Sequence, residues 1–155
     1  HTIVCGNPTV YTLWDFLVEY YHPNHFTSAS HFDNEATDVV ILHSEQSVLA
    51  HLERLLTLSE ATGFQSRVFL FSGEAFSLVD HERVSSQRAK RVVVLPDMLT
   101  SDTETDDSTN IMRAYAFCSV DVKLQVTCLL HSAEHQSSML SGSTANSTFV
   151  SIDAM

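Results

Sequence analysis

Five short apolar runs alternate with segments whose apolar residues recur at helical spacing. No other feature constrains the fold as much. The runs are Thr2–Cys5, Asp38–Leu42, Val68–Phe71, Val92–Leu95 and Leu124–Leu130. Asp38–Leu42 (DVVIL) is continuously apolar, which suits a strand buried on both faces. Strands separated by helices imply a parallel sheet with right-handed crossovers. The expected fold class is therefore α/β, a Rossmann-like doubly wound, mainly parallel sheet with helices on both faces. A chain of 155 residues suits one domain with one core, spanning 1–155.

The helical segments follow from the same periodicity. After the Gly6-Asn7-Pro8 turn, Asn7 is placed to cap and Pro8 to occupy the first helical position. That helix extends to about Tyr21, with Leu13, Trp14, Leu17, Val18 and Tyr21 on one face and Trp14 as a core anchor. Val48–Leu58 presents Leu49, Leu52, Leu55, Leu56 and Leu58. Ser77–Val84 turns Leu78, Val79 and Val84 inward. Asp107–Cys118 packs through Ile111, Met112, Tyr115 and Phe117, and a short helix is expected over Ala133–Leu140. The His22–Thr37 connection holds His22, His25 and His31 without zinc-ligand spacing and reads as a solvated loop. Ser137–Thr148 reads as a flexible loop, and Phe149–Met155 restarts an apolar pattern.

Charge excludes several functions. The formal net charge of −11 opposes binding to nucleic acid or to anionic lipid. No apolar run approaches the roughly 20 residues that span a bilayer. The chain opens on His1 with no secretory signal, the expectation for an excised fragment. Cys5, Cys118 and Cys128 lie in apolar settings and read as free thiols of a reducing compartment.

The chemistry-bearing stretch is Arg91–Phe117. It reads as a strand (Arg91–Leu95), an acidic loop (Pro96–Asp106) and a helix opening near Asp107. Asp97, Asp102, Glu104, Asp106 and Asp107 crowd that turn, at the sheet edge where ligands dock in open α/β folds. One reading is helix capping and compensation of the helix dipole. The other is a site for a hard cation such as Ca2+, with Asp102 and Asp107 facing one crevice and further oxygens supplied from elsewhere. Spacing leaves both open.

Other motifs carry less. The first strand-to-helix turn reads C-G-N-P-T-V, so only Gly6 survives of the G-x-G-x-x-G cradle, and the second strand ends Leu42-His43 without an acidic ribose partner. No NAD is expected. His131-Ser-Ala-Glu134-His135 matches a zinc-peptidase pattern, but His131 closes a strand, so the two rings do not share a helix. Asn146-Ser-Thr is an idle glycosylation acceptor without a secretory signal. Arg83, Arg88, Lys90 and Arg91 form a small basic surface group. No catalytic residues emerge, and the chain reads as a non-enzyme.

Several stretches resemble the amino-terminal lobe of RCK domains, the cytosolic regulators of potassium conductance. The likeness is greatest to the first RCK domain of large-conductance calcium-activated (BK-type) channels. It is carried by His1–Gly6, Val39–His43, Leu78 with Arg83-Val84 ahead of Ala89, Val94-Leu95, and above all Asp107–Arg113 (DSTNIMR). The resemblance implies a Rossmann lobe on the cytoplasmic side of a membrane-embedded channel, joined to the membrane only through the pore region. It implies partners in other RCK domains of a homotetrameric gating ring, whose expansion on ligand binding opens the pore. It also places Asp102 and Asp107 on metal-site positions, with Ca2+ as the implied ion and a further carboxylate from a second lobe. Ser108-Thr109 replaces small apolar residues of the family, which leaves calcium, sodium or no ion open. The rival readings are an NAD- or nucleotide-sensing domain of a transporter or an NAD-linked enzyme, and an oligomerisation lobe without a ligand.

Overall fold

The computed structural model describes residues 1–22, 37–58, 63–121, 123–135 and 146–152. Six strands form one sheet: β1 (Thr2–Gly6), β2 (Val39–His43), β3 (Val68–Ser72), β4 (Arg91–Leu95), β5 (Gln125–Leu130) and β6 (Ser147–Ser151). Their order is β3-β2-β1-β4-β5-β6, and every pairing is parallel. The helices are α1 (Val10–Tyr20), α2 (Gln46–Leu58), α3 (Leu78–Arg83) and α4 (Thr103–Val120). Chain order reverses direction across the sheet between β1 and β4, so their carboxyl ends flank the switch point of a doubly wound fold.

Each strand places successive side chains on opposite faces, and the core divides accordingly. Ile3, Cys5, Val92, Val94 and Leu130 pack with Ala114 and Phe117 of α4. Val4, Val39 and Ile41 pack with Leu13 and Leu17 of α1 and with Leu49 and Leu52 of α2. Both faces are covered, as the continuous apolar runs require. Gly6 has φ +115°, and a Cβ there would lie 2.0 Å from the Leu95 carbonyl oxygen. This glycine is dictated by the close approach of β1 to β4 in their paired register.

Several local expectations differ from the structure. The side chain of Thr9, not Asn7, caps α1 by accepting from the Thr12 amide. Helix α4 opens one turn earlier than Asp107, with Asp102 as its N-cap. The restart at Phe149 belongs to a sixth strand, where Phe149 is buried opposite Cys128. Leu78 is 76% exposed and Val79 65% exposed, because α3 is six residues long and turns His81 inward, with Val84 buried at its C-cap. Met112 is 61% exposed while Ile111 is buried. Trp14 is half-buried and meets Phe64 at a ring distance of 6.0 Å. Ala133–His135 forms a helical turn. The remainder of the short helix and most of the Ser/Thr-rich loop lie outside the described residues, as does most of the His22–Thr37 connection. Among the described residues no helix is long and apolar enough to cross a membrane.

Candidate functional site at the carboxyl edge

Helix α4 begins where β4 ends, so its acidic first turns sit on the carboxyl edge of the sheet. Asp102 lies at the tip. Its carboxylate accepts the Thr105 amide at 3.1 Å, the bond an N-cap makes to an otherwise unsatisfied helix donor. The hydrogen bonds from Thr105 hold its carboxyl below the usual carboxylate range. One turn on, Asp106 and Asp107 point into the protein instead.

Asp107 is fully buried. Its Oδ1 accepts the His131 amide at 2.7 Å, and its Oδ2 accepts the Ser132 amide at 3.1 Å. Oδ2 also meets His135 Nδ1 at 2.8 Å. An ionised carboxylate only accepts, so Nδ1 carries the proton in this contact. Asp107 thereby fastens α4 to the chain as it leaves β5. Asp106 performs a similar task toward β4. Its Oδ2 accepts the Asp97 amide at 3.0 Å and the Asn110 side-chain amide at 3.1 Å, and meets His131 Nε2 at 3.2 Å.

The network continues inward. Asn110 is fully buried and accepts Arg113 Nη1 through its Oδ1 at 2.7 Å. Arg113 Nη2 donates to Asn7 Oδ1 at 3.1 Å, and its guanidinium lies 5.9 Å from the Phe76 ring centre. Buried carboxylates are costly without compensation. Here amides, two imidazoles and a guanidinium one residue removed supply it. The first strand-to-helix turn is engaged by Arg113, and its Asn7 takes part in this internal network. Burial pushes the neighbouring Cys5 thiol up to about 12 and raises Cys128 further. Neither is an available nucleophile at neutral pH.

The described residues bring one set of three potential ligands within 4.8 Å of one another: Asp106, Asp107 and His131. Of the two residues expected to share a crevice, Asp107 belongs to this set and Asp102 does not. Calcium takes six to eight oxygens. Two carboxylates already holding six N–H contacts, with one imidazole, do not by themselves fit that ion. Asp106, His131, His135, Asn110 and Arg113 were not singled out as site residues from sequence. His131 and His135 lie 24 and 28 residues beyond Asp107, and only the pairing of β5 beside β4 brings them in. The Asp106–Asn110 spacing of one helical turn was a readable local signal.

The family model described as the calcium-activated potassium channel slowpoke-like RCK domain matches residues 1–136. Among curated proteins none matches. A solved structure, the human SLO3 gating ring, superposes with a TM-score of 0.67 at 18% sequence identity, covering 97% of this chain and 23% of that one. At that identity the likeness speaks for the fold, and the chain spans under a quarter of that relative's length.

Proposed function

The chain belongs to the slowpoke-like RCK domain family of calcium-activated potassium channels, and from that premise we propose that it is a non-enzymatic regulatory lobe of a channel gating ring. The family match over residues 1–136 carries this reading. The lobe would assemble with other RCK domains of the same channel on the cytoplasmic side, reaching the membrane only through a pore region of the larger subunit.

The chemistry of the carboxyl edge supports a sensing role. Asp106 and Asp107 lock the start of α4 to the ends of β4 and β5 through amide and imidazole donors. A ligand with different affinity for the locked and unlocked arrangements would shift their populations, and that difference is the work available to a pore. We propose Ca2+ as the ligand, with Asp102 and Asp107 as this lobe's contribution. The geometry sets the terms: Asp107 would have to exchange N–H donors for the ion, and most of the oxygens would come from outside this chain.

Isothermal calorimetry on a chain carrying both lobes tests the ion. Calcium heat that falls in Asp102→Ala, a variant that leaves the buried network intact, supports the assignment. Heat unchanged in Asp102→Ala and in Asp107→Asn removes these residues from the site. No heat in the parent protein removes calcium.

A further inference from the structure

The opposite side of the sheet offers a second site, unrelated to the acidic turn. β3 is an edge strand, and among the described residues nothing pairs with its outer side. Its burial is the lightest of the six strands. An open edge of this kind presents unpaired main-chain N–H and C=O groups that accept another strand. Natural edges are usually blunted by lysine, proline, a bulge or a covering loop. The sequence of β3, VFLFS, contains no charge and no proline.

Grooves flank this edge on both faces. On the α2 side, a groove of about 500 Å³ is lined by Leu56, Val68, Leu70, Glu53 and Gln65. Gln65 Nε2 is itself buried and has no hydrogen-bond partner among the described residues. On the α3 side, a groove of about 380 Å³ is lined by Phe69, Phe71, His1, Asp38, Arg83 and Arg88. Asp38 is answered by Arg67 at 3.3 Å, and Arg83 by Asp80 and by the ring of Phe71. The Arg88 guanidinium has no ion pair among the described residues. This groove holds part of the small basic group of a chain whose net charge is −11.

We propose that β3 is a docking edge for an extended acidic peptide segment, which adds a seventh strand to the sheet. Alternation in the incoming strand matches the two grooves: acidic side chains toward Arg88 and His1, and apolar side chains toward Leu56 and Leu70. Main-chain pairing supplies affinity, and the alternate pockets supply specificity.

The test uses the chain as it is with two synthetic probes, an alternating Glu-Val hexapeptide and its Lys-Val counterpart. Binding is read by fluorescence anisotropy and by hydrogen exchange at β3. The Glu-Val peptide is expected to bind saturably and protect β3 amides, with the Lys-Val peptide roughly five- to tenfold weaker. Arg88→Glu, on the exposed surface, is expected to invert that preference while leaving the melting temperature unchanged. A proline at the centre of the Glu-Val peptide should abolish binding, since it removes a ladder donor. Equal binding of the two peptides, or binding of neither, overturns the proposal. So does a concentration-dependent dimer without peptide that protects the same amides, which would assign the edge to a second copy.

Discussion

Replacing Asp107 by Asn changes one oxygen for an NH2 and almost nothing else in size. In the folded chain the parent carboxylate takes the His131 amide, the Ser132 amide and the His135 Nδ1–H, at 2.7, 3.1 and 2.8 Å. An asparagine has one acceptor for these three donors. If its oxygen stays on the His131 amide, its NH2 group confronts Ser132 N–H and His135. The imidazole can change tautomer and accept, but the Ser132 amide is orphaned. Hydrogen bonds to a charged group contribute about 1.5–3 kcal/mol, and a buried donor left alone costs about 1–3 kcal/mol. The expected loss for Asp107→Asn is about 3 kcal/mol, within the 3–5 kcal/mol typical when a buried charged contact is broken. Asp102→Ala removes an exposed cap and should cost about 1 kcal/mol. Urea unfolding followed by circular dichroism measures both. With m unchanged, the midpoint for Asp107→Asn should fall well below that for Asp102→Ala. Hydrogen exchange should quicken at His131 and Ser132 in Asp107→Asn alone. Equal midpoints, or unchanged exchange at these amides, would refute the claim that Asp107 fastens α4 to the end of β5.

Three further outcomes follow from the same structure. Gly6→Ala should cost about 4 kcal/mol or prevent folding, since it combines a left-handed φ with a Cβ overlapping the Leu95 carbonyl; the thermal melt of the soluble fraction reads it. A thiol reagent at pH 8 should leave Cys5 and Cys128 unlabelled in the folded chain and label them in denaturant, because burial suppresses both thiolates. Burial lowers the pKa of His43, whose Nε2 faces the Pro8 carbonyl at 3.2 Å. The unfolded state then binds more protons, so His43 destabilises the fold as pH drops below the ordinary value of 6.5 and has no such effect above it. Stability measured from pH 8 to pH 5 should fall less steeply in His43→Gln.

The sheet was legible because its central strands are buried on both faces and therefore read as unbroken apolar runs. β6 was not: STFVS carries two inward residues among polar ones and follows a Ser/Thr-rich stretch that masks it. Four of the helices were legible, but their inward faces were not always so. In α3 a single turn and a half leaves Leu78 and Val79 outside, a result set by length rather than by periodicity. The opening of α4 was shifted because Thr103, Glu104 and Thr105 carry no apolar signal, yet the Asp102 cap starts the helix regardless. At the site, five clustered acids signalled an unusual turn. Which of them turn inward depends on the rotation of α4 over β5, and that follows from where the helix begins. His131 and His135 looked like a chance metal motif, and in the fold they face Asp106 and Asp107.

The most direct test of a regulatory lobe working through this edge is channel current from the full-length subunit in excised patches, with calcium stepped on the cytoplasmic side. Open probability should rise with calcium, and Asp102→Ala and Asp107→Asn should each shift the response to higher calcium. A channel whose calcium response is identical in the parent and in both variants would contradict it.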